Sequence, residues 1–232
     1  MNMIETKKRI VVFTGAGISA ESGLSTFRDS DGLWSQYPIE MLATKQALKQ
    51  DPELVLSFYN DRINKANTAR PNAAHLAIAS LEQSFDVTVV TQNVDNLHER
   101  AGSSKIIHLH GQLSFAQSGV DASLIYNWHN EPIMMGQQCE LGSQLRPNVV
   151  LFGEPVMHLN EARILIRNAD KVLAVGSSLT VQPAANLLNK ARFHSEKILI
   201  SREVKKKPFG YRFLRGDASS LVPSICANWL RE

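Results

Sequence analysis

The chain has 232 residues and a formal net charge of +3, with 44% hydrophobic, 7% aromatic and 20% charged residues, a composition that excludes a disordered or fibrous protein. No apolar run approaches the roughly 20 residues needed to cross a bilayer, so no membrane partner is expected; the densest basic run, Lys205-Lys206-Lys207, suits a solvated loop and not a nucleic-acid surface. Cys139 and Cys226 are the two cysteines, too few for a disulfide framework and unable by themselves to complete a four-ligand zinc site.

The N-terminal segment is charged and lacks the apolar stretch of a secretory signal, which predicts a cytoplasmic protein. The first β-branched run, residues 9–14, predicts a buried strand and leads into Gly15-Ala16-Gly17-Ile18-Ser19-Ala20. In such a Gly-x-Gly-x-x-Ala turn, Gly15 permits the tight bend, Gly17 lets backbone approach a pyrophosphate, and Ala20 allows close packing as a helix begins. The amides at that helix start would hold phosphate. A tight turn with no ligand is the competing explanation. The acidic residue that dinucleotide folds place about 20 positions on, for a ribose hydroxyl, is not obvious here, which argues against an ordinary dehydrogenase.

Residues 21–37, with Gly23 and Gly32, are irregular and long enough to suggest a functional loop. Asp51-Pro52-Glu53 then offers a helix start, followed by Leu54, Val55, Phe58 and Ile63. Tyr59 and Arg62, at i and i+3, share one face of that helix; a phenol and a guanidinium so placed can grip a carboxylate, although a surface arginine beside a half-buried tyrosine is the plainer alternative. Pro71-Asn72 opens another helix, carrying Ala73, Leu76, Ala77 and Leu81. Strands are predicted at 87–91, 149–152, 172–176 and 198–201, all in a parallel sheet, with a helix opened by Pro183 after the fourth run. Alternating strand and helix make a doubly wound, Rossmann-like α/β domain. Residues 112–146 have no sustained period and read as an inserted, loop-rich lobe.

Three segments at expected strand ends carry polar side chains, which is where a doubly wound sheet binds ligands. Thr91-Gln92-Asn93-Val94-Asp95-Asn96 follows the second run and Gly176-Ser177-Ser178 the fourth; simple turn formation is the competing explanation for the first. In Ile107-His108-Leu109-His110-Gly111, alternation would set His108 and His110 on one side of a strand, compatible with acid–base work or with a metal. No third ligand lies at a familiar spacing, so no metal is expected.

These segments, with Thr26-Phe27-Arg28, Gly32-Leu33-Trp34, Leu97-His98, Phe152-Gly153-Glu154 and Gly176 to Leu179, resemble in order and spacing the successive motifs of the sirtuin (Sir2) family of NAD-dependent protein deacylases, bacterial class III type, over about residues 8–225. The resemblance implies one catalytic unit over 1–232, with a Rossmann-like large domain from about 1–35, 70–111 and 146–232 and a small lobe from about 36–69 and 112–145. It implies NAD as cofactor, held by Gly15, Ala16, Gly17, Ser19, Ala20, Phe27, Arg28, Gln92, Asn93, Asp95, Gly176, Ser177 and Ser178. His110 matches the general base and Asn93 a further catalytic position. In the implied reaction nicotinamide leaves, the amide oxygen of an acylated lysine attacks the ribose carbon, and His110 helps activate a ribose hydroxyl, giving O-acyl-ADP-ribose and free lysine. Val149 and Val150, before Phe152, Gly153 and Glu154, match the segment that pairs with a substrate peptide as an added strand. Tyr59 and Arg62 match the family's signature for succinyl-, malonyl- or glutaryl-lysine, with acetyl-lysine also open.

Two departures stand out. Most sirtuins hold a structural zinc with two Cys-x-x-Cys pairs, whereas residues 112–146 contain only Cys139, which with His129 would make an incomplete site. No zinc is expected, and the lobe is predicted to be held by apolar contacts from Phe115, Ile125, Tyr126 and Trp128. Ser201 stands where the family commonly has an asparagine against the adenine ribose, so the adenine end, with Ala218 after Gly216-Asp217, is the least family-like. An NAD glycohydrolase or ADP-ribosyltransferase, and an inactive NAD- or ADP-ribose-binding module, are the alternatives. The partners expected are acylated lysines of proteins, and a monomer is compatible with the sequence.

Overall fold

The structure, a computed structural model, describes residues 7–26 and 38–232. Among these, nine strands form: β1 (Arg9–Thr14), β2 (Asp86–Thr91), β3 (Ile106–His108), β4 (Gly111–Ser118), β5 (Ile125–Asn127), β6 (Leu145–Val149), β7 (Lys171–Val175), β8 (Glu196–Ser201) and β9 (Arg212–Arg215). The α-helices are α1 (Ile39–Leu42), α2 (Lys45–Gln50), α3 (Pro52–Thr68), α4 (Ala73–Ser80), α5 (Leu97–Ala101), α6 (Leu159–Asn168) and α7 (Ala218–Trp229).

Six strands make a wholly parallel sheet in the order β3-β2-β1-β7-β8-β9. Its central strands are β-branched and apolar because both faces are covered. Alternate residues of β1 divide between two cores: Ile10 and Val12 join the cluster that includes Ile78 of α4 and Val222 and Trp229 of α7, whereas Val11 and Phe13 join Ile166 of α6 and Leu187 and Leu188 on the opposite face. Four of the five expected runs are strands of this sheet. The run at 149–152 is not: Val149 ends β6, which belongs to a separate antiparallel sheet ordered β5-β4-β6, and Phe152 makes only an isolated bridge to Thr44. The stretch expected to be loop-rich thus carries a three-stranded sheet. Its central strand β4 runs eight residues but is bulged between Gln112 and Ala116, and β5 is only three residues long; the bulge breaks the period of two that would have revealed β4. Two further strands of this sheet, β3 and β9, are short; β3 falls on the segment around Ile107 and His108 that alternation reads as a strand, whereas β9, with arginine at both ends, carries no continuous apolar run.

From β1 the chain passes through β2 to β3 on one side and later returns at β7 to build β8 and β9 on the other. The switch between β1 and β7 leaves a crevice at their carboxyl ends. There the Gly15 amide donates to the Val175 carbonyl at 3.0 Å and the Gly17 amide to the Gly176 carbonyl at 2.8 Å. A Cβ on Gly17 would lie 2.8 Å from Gly176 Cα, and one on Gly176, which has φ +64°, would lie 2.2 Å from the Ile18 amide nitrogen. Both glycines are therefore required by each other, before any ligand is considered. The helix expected after this turn is instead two single 3-10 turns, Ala16–Ile18 and Ala20–Ser22. The amides of Gly15, Gly17, Ile18 and Ser19 all donate within the chain, so they do not form the open phosphate cradle expected from the motif.

α3 begins as expected, with Pro52 in its first turn and the Asp51 carboxylate accepting from Leu54 N at 3.0 Å, a cap that contributes about 1 kcal/mol. Its buried face packs Val55, Tyr59 and Ile63 on Leu113, Val149 and Leu151. Leu56 joins Ala116, Ile133, Cys139 and Leu145, with Tyr126 and Trp128 packed alongside. Of the four side chains expected to hold this lobe, Tyr126 and Trp128 do so; Ile125 is exposed, on the solvent side of the short β5, and Phe115 is half-buried outside the cluster. The Asn72 cap opens α4 as expected, and the helix after Pro183 is a 3-10 helix over Ala184–Lys190. No described helix is long and apolar enough to cross a membrane.

Gly176→Ala should lower stability by at least about 2 kcal/mol, because it combines a left-handed backbone with a collision against main chain. At this chain length that corresponds to a fall in Tm of about 4 °C or more, measurable by thermal unfolding.

Candidate active site

The crevice opens into a cleft of about 460 Å³, within the range of small-molecule and cofactor sites. Its floor is the Gly15-Ala16-Gly17 loop with Ala20. Gln92 and Asn93 after β2, His110 before β4, and Gly176, Ser177 and Ser178 after β7 line its middle. Ser201 and Ala218 line one end, and Tyr59, Val150, Phe152, Gly153 and Glu154 line the wall formed by α3 and the segment after β6. Ser19 and Asp95 lie just behind, in a small adjoining pocket that shares Ala16, Asn93 and Val94 with the cleft. Phe27 and Arg28 lie outside the described residues.

The turn after β2 is held from several sides. Asn93 donates its amide to Thr91 Oγ1 at 3.0 Å and its side-chain Nδ2 to Ser19 Oγ at 3.2 Å. Ser19 Oγ donates in turn to Asp95 Oδ2 at 3.1 Å, and Ser177 Oγ donates to Gln92 Oε1 at 2.9 Å. Burial raises the Asp95 carboxyl above its ordinary range, against the opposing pull of the Leu97 amide and the Ser19 hydroxyl.

The two histidines of the His-x-His pair do not share one strand face. β3 ends at His108, whose Nδ1 lies 3.1 Å from the Asn93 carbonyl and whose Nε2 lies 2.7 Å from Glu99 Oε1, so both nitrogens face acceptors and support the turn from outside the cleft. The chain bends at the buried Leu109 and delivers His110 into the cleft, its Nδ1 3.1 Å from the Gln92 carbonyl. A carbonyl can only accept, so Nδ1 carries the proton and Nε2 is the basic nitrogen. Burial lowers the His110 pKa, while the Gln92 carbonyl opposes the shift. Among the described residues, no group of three or more His, Cys, Asp or Glu side chains is placed to hold a metal. Cys139 lies in the lobe's apolar cluster with its Sγ 3.3 Å from Ser118 Oγ.

Tyr59 and Arg62 are both buried, not surface groups. Tyr59 lines the cleft, whereas Arg62 lines the adjoining pocket with Asp95 and donates to the Ser25 carbonyl at 3.4 Å. Burial pushes the Tyr59 phenol upward, so it is a neutral donor. The segment after β6 rests on a buried ion pair: Arg146 Nη1 donates to the Val149 carbonyl at 2.8 Å and Nη2 to Glu154 Oε1 at 2.7 Å, while Glu154 Oε2 accepts from the Leu151 amide. The Val150 and Phe152 amides are also bonded within the chain, to the His110 and Ala43 carbonyls. An added strand therefore cannot use the amides of residues 150–152 while these bonds persist.

Arg146 went unremarked in the sequence because its role depends on a curl of its side chain under residues 149–154. Thr180, Gln182 and Pro183, which also line the cleft, directly continue the Gly-Ser-Ser turn, and that adjacency was the available signal. At the Ser201 end, the serine hydroxyl donates to the Glu203 carbonyl at 2.8 Å, and Arg202 reaches both Asp217 and Glu21.

A parallel sheet with its cleft at the switch point, its middle lined by the neutral amides and hydroxyls of Gln92, Asn93, Ser177 and Ser178, is the arrangement of an α/β nucleotide-binding protein. More narrowly, a family profile described as Sir2 family matches residues 15–183, and the chain belongs to that family. A protein of Bacteroides thetaiotaomicron named NAD-dependent protein deacylase is 48% identical over 190 residues, 78% of this chain and 80% of its own. A Helicobacter pylori protein of the same name is 45% identical over 200 residues, 86% of each chain. Among solved structures, a Sir2 homologue bound to ADP-ribose superposes with a TM-score of 0.91 at 38% identity, covering 97% of this chain and 93% of its own. A Sir2–p53 peptide–NAD+ complex superposes with a TM-score of 0.78 at 29% identity, covering 97% and 95%.

His110 should titrate with a midpoint below the roughly 6.5 of an unperturbed imidazole and remain neutral at pH 7. Proton NMR of the assigned ring against pH checks this; a midpoint above 7 would contradict the burial-dominated environment.

Proposed function

We propose that this protein is an NAD-dependent protein-lysine deacylase, releasing nicotinamide, free lysine and O-acyl-ADP-ribose. The observation that carries this reading is the bare Nε2 of His110, held in one cleft with Asn93, the glycine loop and the Ser177-Ser178 turn. Family membership and relatives named NAD-dependent protein deacylase support it. The fit to a dinucleotide rests on the donor set: neutral amides and hydroxyls of Gln92, Asn93, Ser177 and Ser178 around a floor of glycine backbone suit ribose hydroxyls and a carboxamide.

Bound there, NAD supplies an electrophilic ribose carbon with nicotinamide as leaving group. Gln92, Asn93 and Asp95 would hold the nicotinamide ribose and carboxamide, a role the family resemblance also assigns to Phe27 and Arg28, which lie outside the described residues. Gly15, Ala16, Gly17, Ser19, Ala20, Gly176, Ser177 and Ser178 surround the pyrophosphate and its ribose, and Ser201 and Ala218 the adenosine. His110 Nε2 takes the proton of a ribose hydroxyl, which a neutral imidazole does readily near pH 7. Val150, Phe152, Gly153 and Glu154 contact the acyl-lysine peptide, and Tyr59, backed by the buried cation of Arg62, favours succinyl, malonyl or glutaryl groups while admitting acetyl.

We further read the chain as one catalytic unit, cytoplasmic and independent of zinc, with its small lobe drawn from about residues 36–69 and 112–145. The apolar cluster around Leu56, Ala116, Ile133, Cys139 and Leu145 supports the zinc-free lobe, since it supplies a core without metal.

The test is mass spectrometry of products from the protein, NAD and matched succinyl- and acetyl-lysine peptides, with chelator present. The expected result is O-acyl-ADP-ribose, formed faster from the succinyl peptide. Arg62→Met should lower kcat/KM for that peptide about tenfold or more while sparing the acetyl one, because it removes the buried positive charge that backs Tyr59. Free ADP-ribose without peptide turnover would point to a glycohydrolase instead, and unconsumed NAD would point to a binding module or to an acyl group other than the two tested.

A further inference from the structure

Behind the cleft, a line of buried polar groups crosses from the start of α4 to the end of β2, and none of them touches the cleft. It begins at the α4 cap, where the Asn72 amide points at His75 Nδ1 from 3.3 Å. An amide can only donate, so Nδ1 is bare and a neutral His75 carries its proton on Nε2. That buried N–H has no partner among the described residues, and neither has Nδ1 of His98. The two rings stand edge to face, with centroids 4.9 Å apart and planes at 61°. On the far side of His98, Nε2 lies 3.0 Å from Thr14 Oγ1, and the Thr14 hydroxyl donates to Thr91 Oγ1 at 2.8 Å. Thr91 Oγ1 also accepts the Asn93 amide. His75, His98, Thr14 and Thr91 are all essentially inaccessible to solvent.

Among the proton placements these contacts allow, one leaves the fewest buried N–H groups without an acceptor. If His98 carried its proton on Nδ1, two buried N–H groups on neighbouring rings would each lack an acceptor. With the proton on Nε2 instead, Nε2 donates to Thr14, and the bare His98 Nδ1 is left beside the His75 ring, 4.9 Å between centroids, as an acceptor for that ring's unpartnered Nε2–H. The Thr14 proton is then free to pass on to Thr91. Charge does not intervene, because burial pushes His75 down to about 4 and, with the neighbouring His75 and His108, holds His98 well below the ordinary imidazole range.

We infer that His75 and His98 are positioning residues, joined in a one-way hydrogen-bond relay from the Asn72 amide through both histidines and Thr14 to Thr91. The relay orients the Thr91 oxygen that holds the Asn93 amide, and so fixes the turn whose Gln92 carbonyl sets the His110 tautomer. Its effect on rate rests on the deacylase reading; the relay itself does not.

Two measurements test it. In the unmodified protein at pH 7, nitrogen-15 NMR of the histidine rings should report His75 and His98 both as neutral Nε2–H tautomers; an Nδ1–H tautomer or a cation at either overturns the relay. Thr14→Val, which keeps shape and removes the hydroxyl, should lower kcat for deacylation about tenfold, the scale of a small misplacement of reacting groups, with KM for NAD little changed. Thr14→Ser, which returns the hydroxyl, should recover most of the loss. Undiminished kcat in Thr14→Val, or no recovery in a folded Thr14→Ser, overturns the positioning role. Absence of deacylation in the unmodified protein would remove the functional reading alone, because the tautomers still decide the relay.

Discussion

Everything in the site depends on two backbones meeting without side chains between them. Gly15 and Gly17, leaving β1, interlock with Gly176, leaving β7, at distances no Cβ would permit. That contact closes the sheet at the point where its strand order reverses, and the cleft is what remains above it. Because the Gly15 and Gly17 amides are consumed in making the interlock, much of the polar surface in the middle of the cleft comes from side chains of neighbouring strand ends: Gln92 and Asn93 on one side, Ser177 and Ser178 on the other.

Those side chains are precise only because buried polar groups behind them are paired. The turn at residues 91–93 is gripped through Thr91, through the Asn93 carbonyl by His108, and through Asn93 Nδ2 by Ser19. On the opposite wall, Arg146 and Glu154 tie the segment 149–154 to itself. Breaking such a buried pair by removing one partner leaves an uncompensated charge, which typically costs about 3–5 kcal/mol. The rigid parts of the site are thus polar networks, and the apolar clusters supply the platform on which they stand.

Much of this was legible in the residues. The central strands are continuous β-branched runs because both faces are buried, and that pattern is visible without any partner. Asp51-Pro52 and Asn72 announce their helices because capping is local chemistry. The small antiparallel sheet was hidden, since a bulge interrupts the alternation of β4 and β5 is only three residues long. The run at 149–152 misled for a related reason: its apolar residues face the α3 helix and the cleft, so burial there does not mean membership of the parallel sheet. The His-x-His spacing misled because alternation holds only while a strand continues, and β3 ends at His108.

The sequence by itself determined the sheet's core strands, the glycine turn, the polar strand ends and the family, because each is written in neighbouring residues whose chemistry does not wait for the fold. Only the tertiary structure decided that Gly17 answers to Gly176, that Tyr59 and Arg62 open onto different spaces, and that His108 supports the turn while His110 enters the cleft. It also decided that His75, Thr14 and Thr91 belong together. These are matters of which groups remain unpaired once water is excluded, and burial brings together residues that lie far apart along the chain.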